Sequence, residues 1–240
     1  TSGTTSTRGS ASRTVAAMPP LPEATGIRQR QPAGTLIRTT LAERWVHRSL
    51  AAAMLVCVAS AAVLYFGPLS VLVGRRGLIA WIHIVSGCAL PVPILAGLAS
   101  KAFRTDIGRL NRFTSVDREW LGSADRRTGR LAIGKFNAGQ KLNAAFTAGA
   151  ILVMLGSGLI MRWANAWPVR WRTGATFVHD WLAYAVVAVV LGHLYFASRD
   201  PSARRAMRTG EVPESWARRE HRGWAEDEAT ASADLPADGS

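Results

Sequence analysis

Four apolar runs, at about residues 45–66, 78–100, 140–163 and 175–197, constrain this chain more than any other feature. Each holds about 20 residues, enough as α-helix to cross a hydrocarbon layer of roughly 30 Å. A bilayer core offers the backbone no water, so such a run must satisfy its own amides as a helix. The expected fold is an all-α membrane protein, a four-helix transmembrane bundle. The formal charge of +13 would by itself suit a nucleic-acid binder. The apolar residues, 48% of the chain, are instead gathered into these runs, so membrane lipid is the expected partner and nucleic acid is not.

The basic residues alternate across the runs. Seven Lys and Arg precede or include Arg48, ten lie in 100–141 and seven follow residue 197. The two other connections share five: Arg75, Arg76, Arg162, Arg170 and Arg172. The positive-inside rule then predicts a multi-pass protein of the cell membrane with both termini and the long middle connection cytoplasmic. Residues 1–38, rich in Ser, Thr, Ala, Gly, Pro and Arg without periodicity, read as a disordered basic arm. They lack the apolar stretch of a cleaved leader. Residues 39–198 form the transmembrane domain, and 199–240 a polar cytoplasmic tail with a disordered acidic end. The middle connection, with Phe103, Phe113 and Trp120 among its arginines, is expected to lie partly as helix on the membrane surface. Pro91 and Pro93 should kink the second span. Cys57 and Cys88 sit inside spans, outside any CxxCH or zinc-type pattern, and read as small apolar fillers.

Histidines carry the functional signal. His179 and His193 are 14 positions apart, a rise of about 21 Å and nearly four turns, so both leave one face of the fourth span at two depths. His47 opens the first span on the inner side, and His83 opens the second on the outer side. The four therefore sort by depth into His47 with His193 and His83 with His179, each pair drawn from two helices. Two imidazoles approaching one iron from opposite sides is the arrangement a b-type haem requires. Zinc would want four ligands together. A proton relay or transporter, and histidines held for structure alone, remain as the other readings. Arg44 and Arg48 flank His47 and suit either haem propionates or interfacial anchoring.

The stretch "GKFNAGQK", residues 134–141, resembles the GKYNAGQK signature of the cytochrome b, or gamma, subunit of respiratory formate dehydrogenases. The resemblance extends from about residue 38 to 226 through "RWVH", "WIHIVSG", "FVHDW", "GHLYFA" and the tail "GEVPESWARREHRGW". The cytochromes b of thiosulfate reductases and nickel–iron hydrogenases share the same two-haem plan.

The resemblance implies a di-haem membrane anchor, with His83 and His179 as axial ligands of an outer haem b and His47 and His193 of an inner one. It implies menaquinone as acceptor beside the inner haem, at Asn137 and Gly139, with Gln140 and Lys141 as further candidates. It also implies an iron–sulfur subunit as donor and a molybdopterin subunit as the site of formate oxidation, since no formate-oxidising motif occurs in this chain. A subunit of another quinone-linked oxidoreductase, and a stand-alone reductase of the cytochrome b561 kind, are the alternatives.

Overall fold

The computed structural model describes residues 34–124, 126 and 128–233. The expected arm up to residue 33 and the last seven residues of the tail lie outside them. Four helical segments are long and apolar enough to span a membrane: Leu41–Tyr65, Arg76–Gly97, Ala138–Arg162 and Val169–Arg199.

Helix α1 (Leu41–Tyr65) begins at a capping box, in which Thr40 Oγ1 accepts from the Glu43 amide and Glu43 accepts from the Thr40 amide. It ends at Phe66, before Pro68. A short helix, α2 (Gly67–Val73), follows, closed by Gly74 in the left-handed region at φ 65°. The second span divides at Leu90 into α3 (Arg76–Ala89) and α4 (Pro91–Gly97), the break falling where Pro91 has no amide hydrogen to give.

The middle connection holds two capped helices, α5 (Lys101–Leu110) and α6 (Ser115–Gly122). Helix α7 (Ala138–Arg162) starts at a second capping box, Asn137 with Gln140, and a 3₁₀ turn (Ala164–Ala166) leads to α8 (Val169–Arg199). Helix α8 starts several residues before the apolar run. Pro168 sets its first turn, and Arg170 and Arg172 are tolerated there because long basic side chains reach back to water.

In the span region α1 packs on α3 and α4, and α7 packs on α8, while α3 and α7 join the two pairs. Cys57, Leu90 and Ile151 form a small core at that junction. Only 6–17% of each apolar window is buried, so the helices present most of their side chains to lipid or to space between the pairs.

The larger core lies in the tail. Helix α9 (Pro201–Thr209), strand β2 (Glu211–Pro213), α10 (Glu214–Glu220) and α11 (Arg222–Ala233) bury Ala206, Val212, Trp216, Ala217, Trp224 and Ala225 together. Strand β1 (Thr35–Ile37), in residues expected to belong to the disordered arm, pairs antiparallel with β2, Leu36 opposite Val212. Each strand is three residues long and its partner is distant in sequence, so no local pattern announces the pairing.

Candidate functional site

The fold brings the four span histidines together as two pairs. His47 on α1 and His193 on α8 have ring centres 6.1 Å apart. His83 on α3 and His179 on α8 have ring centres 6.3 Å apart. A metal–imidazole bond is about 2.0–2.1 Å, and the ring centre lies about 1.1 Å behind the nitrogen. Two imidazoles on opposite sides of one metal therefore stand roughly 6.3 Å apart, and both pairs have that spacing.

The donor set narrows what such a metal brings with it. Among the described residues no group of three or more His, Cys, Asp or Glu side chains converges. Each pair would give a metal two imidazole nitrogens, and the remaining ligands would have to come with it, as a porphyrin supplies them. Open space lies beside several glycines of the same helices. A Cβ added at Gly149 or Gly156 on α7, or at Gly192 on α8, would meet nothing within 4 Å.

The outer histidines are further held through Nδ1. His83 Nδ1 lies 3.2 Å from the Cys57 carbonyl and 3.1 Å from Ser60 Oγ. A carbonyl only accepts, so Nδ1 carries the hydrogen and Nε2 has a lone pair free. His179 Nδ1 lies 3.0 Å from Ser157 Oγ, whose own hydrogen goes to the Val153 carbonyl at 2.7 Å. Cys57 does more than fill space: Ser86 Oγ donates to its sulfur at 3.2 Å, and its thiol lies 3.6 Å from the His83 carbonyl, tying α1 to α3. The sequence reading missed Ser60, Ser157 and Ser86, because serines among small residues of a span are ordinary and their partners lie on other helices.

At the inner end the two candidate arginines behave differently. Arg48 donates to the Met207 and Arg208 carbonyls at 3.0 and 3.2 Å, capping α9. Arg44 stands one turn before His47, and its buried Nε has no hydrogen-bond partner.

The residues of the "GKFNAGQK" stretch have structural work. Asn137 Oδ1 accepts from the Gln140 amide at 2.9 Å, and Gln140 Oε1 from the Asn137 amide at 3.0 Å, closing the cap of α7. Gly139 packs so closely on Trp120 that a Cβ there would come within 3.1 Å of the ring. Lys141 donates to Asp117 at 2.6 Å and to the Arg112 carbonyl at 2.9 Å. Burial opposes ionisation of Asp117, yet hydrogen bonds from Lys141 and Thr114 outweigh it and hold the carboxyl below its usual range. Beside them α6, the 132–134 loop and the start of α7 enclose a cavity of about 270 Å³, lined by Asp117, Trp120, Gly134 and Lys141 among others but not by Asn137, Gly139 or Gln140. Lys135 points the other way, into an ion cluster with Asp106 and with Glu43, 3.7 Å away and one turn before His47.

The tail grips the same stretch. Arg38 lies between Trp216 and Trp224, 4.8 and 5.4 Å from the ring centres, and donates to the Lys135 carbonyl at 2.8 Å. It also meets His221 Nε2 at 3.1 Å, and His221 Nδ1 reaches the Gly134 carbonyl at 2.7 Å. Since Arg38 only donates and the carbonyl only accepts, the hydrogen of this neutral imidazole is on Nδ1. Burial pushes the Arg38 guanidinium down to about 10, against the attraction of Asp200, Asp106 and Glu43.

The cytochrome b556(Fdn) subunit of the nitrate-inducible formate dehydrogenase of Escherichia coli K12 is 27% identical over 95 residues, covering 38% of this chain and 44% of that protein. The corresponding subunit of Shigella flexneri matches to the same extent. The chain thus aligns with less than half the length of these curated relatives. The model of the prokaryotic cytochrome b561 family matches residues 38–210, from the clamp arginine through all four spans to the end of α9, and the chain belongs to that family.

Proposed function

We propose that this chain is the di-haem membrane anchor of a quinone-linked oxidoreductase of the formate dehydrogenase type. It takes electrons on the outer side from an iron–sulfur subunit, itself supplied by a molybdopterin subunit, and delivers them to menaquinone on the inner side. The observation that carries this reading is the pair of histidine pairs, each at the spacing of two trans imidazoles and separated in depth along α8. Haem b, which family membership implies, supplies one-electron transfer when bound.

The chain's own residues do the rest. His47 and His193 hold the inner haem, His83 and His179 the outer one, and Arg44, with its unpartnered Nε, pairs with an inner propionate. The arginine distribution favours a cytoplasmic side for the termini and the middle connection. Moving an electron inward then works against the membrane potential, at about 2.3 kcal/mol per 100 mV, and cytoplasmic proton uptake at the quinone makes the step energy-conserving. Asn137, Gly139 and Gln140, with Lys141, form the cytoplasmic quinone-facing segment. The cap uses the Asn137 backbone N–H and Oδ1, leaving its side-chain Nδ2 to face a quinone carbonyl, and Lys135 ties this stretch to α1 one turn from His47. The cytochrome b561 family description supports a second reading, a reductase working without partner subunits.

The test is a reduced-minus-oxidised visible spectrum of the detergent-purified chain, with haem counted per polypeptide. Two b-type haems are expected in the wild type, and one in each of His47→Ala and His83→Ala. A colourless protein, or haem retained in full by both variants, overturns the reading. Reduction by a soluble donor at full rate without partner subunits would favour the second reading.

A further inference from the structure

We infer that Ser60 and Ser157 are a matched pair of positioning residues that fix the outer imidazoles with Nε2 towards the iron and set the outer haem below the inner one in potential. The inference rests on the haem reading above and concerns what holds the ligands.

The two serines occupy equivalent places in the two helix pairs. Ser60 lies on α1 and faces His83 on its neighbour α3, while Ser157 lies on α7 and faces His179 on its neighbour α8. Both are buried, at 5% and 7% exposure. Each spends its single hydrogen on the carbonyl four residues back, Ser60 on Val56 and Ser157 on Val153, both at 2.7 Å. That leaves only lone pairs to face the rings, at 3.1 and 3.0 Å from Nδ1. For His83 the Cys57 carbonyl, 3.2 Å from Nδ1, repeats the demand. Both rings are therefore held as Nδ1–H imidazoles with Nε2 directed away from the serine. Serine as back-bonded acceptor explains the residue type: alanine offers no lone pair, and valine would add a methyl at the same place.

The inner pair has no counterpart. Among the described residues neither ring of His47 or His193 has a hydrogen bond. A hydrogen bond given by the far nitrogen makes the near nitrogen a more basic ligand, and hydrogen bonding to axial ligands is one of the levers on haem potential. A more basic pair of ligands favours the oxidised iron, so the outer haem should be the lower in potential. That puts the slope in the direction of the proposed electron flow.

The experiment is a redox titration of the full-length protein in detergent, followed in the visible band, for wild type, Ser60→Ala, Ser157→Ala, the double variant and the corresponding threonine variants. A His193→Ala background, which leaves the outer haem alone, assigns the waves. Two haems should remain, with the outer wave moving to higher potential in each alanine variant and further in the double. Threonine, which keeps the back-bonded oxygen, should restore it, and the inner wave should stay in place. Loss of the outer haem with alanine but not threonine also supports the inference. Unmoved waves, equal movement of both, or loss of the outer haem with alanine and threonine alike would overturn it. A haem-free wild type would instead sink the reading on which it rests.

Discussion

Replacing Arg38 by alanine should loosen the tail from the rest of the protein by roughly 3 kcal/mol. The guanidinium satisfies the Lys135 carbonyl and His221 Nε2, and a buried acceptor left without its donor costs about 1–3 kcal/mol. Its two partly desolvated contacts with Trp216 and Trp224 contribute about 1–2 kcal/mol each. Against this stands the cost of burying the charge. A fall in pKa from 12.5 to about 10 corresponds to about 3 kcal/mol opposing the charged form, present at all pH values below the folded pKa and relieved only as pH rises through it.

The assay is limited trypsinolysis of the intact protein in detergent at neutral pH, scored at Arg218, Arg219 and Arg222. Cleavage there requires the tail to open, so its rate follows the opening equilibrium when reclosing is fast. A loss of 3 kcal/mol is about two decades in that equilibrium, and cleavage should accelerate roughly a hundredfold. The double variant Arg38→Met with His221→Phe removes the orphaned nitrogen and the buried charge together. It should recover only part of the loss, because the Lys135 and Gly134 carbonyls are both left without donors. Wild-type cleavage rates in Arg38→Ala would refute the reasoning.

Gly97 admits no larger residue: a Cβ would stand 2.7 Å from Val46 Cγ2 and 2.8 Å from the Phe103 ring, so Gly97→Ala should cost about 1–3 kcal/mol in detergent melting. Val46 precedes His47, and the same variant should broaden the spectrum of the inner haem and leave the outer one unchanged. Asn137→Ala should lose about 1 kcal/mol of cap together with quinone reduction, whereas Asn137→Asp keeps the cap and separates the two roles; full quinone turnover in the aspartate variant would remove Asn137 from the quinone site. The folded pKa of Asp117 is depressed, so its pairing with Lys141 stabilises the protein above the ordinary value of 3.8 and is lost as pH falls through the lower folded value. Melting curves of wild type and Asp117→Asn should therefore converge in acid and separate as pH rises, and curves parallel at every pH would contradict the assignment.

How far each feature could be read from the chain follows from where its partners lie. The spans were legible because a bilayer leaves an apolar backbone one solution. The pairing of histidines by depth needed only helical rise and the alternation of arginines. The break at Pro91 followed from a missing amide hydrogen, and the cap of α7 is written in the spacing of Asn137 and Gln140. Ser60 and Ser157 were not legible, since each is defined by an imidazole on another helix. The tail was the larger miss. Its residues Trp216, Ala217, His221, Trp224 and Ala225 recur at helical spacing and bury one face, a signal masked by the glutamates and arginines between them. His221, alone in a polar stretch, carries no local sign of its partners. Its acceptor and donor partners, Gly134 and Arg38, come from the middle and the start of the described chain.

These misses share a consequence for the "GKFNAGQK" stretch. Its first half is clamped from the tail, with the Gly134 and Lys135 carbonyls taken by His221 and Arg38, and the Trp224 amide on the neighbouring Ile133 carbonyl at 3.1 Å. Its second half is fixed by the α7 cap and by Lys141 on Asp117. A loop held at both ends presents what remains, the Asn137 side-chain Nδ2, in one orientation. Preorganisation of that kind is what a site needs when its hydrogen bond must strengthen as charge develops on a carbonyl oxygen. The tail motif and the loop motif are then one device, and the proteolysis experiment can test that link. An Arg38→Ala protein whose tail opens freely should lose quinone reduction in proportion while keeping both haems. If quinone turnover survives complete loss of the clamp, the loop orients itself, and the tail serves stability alone.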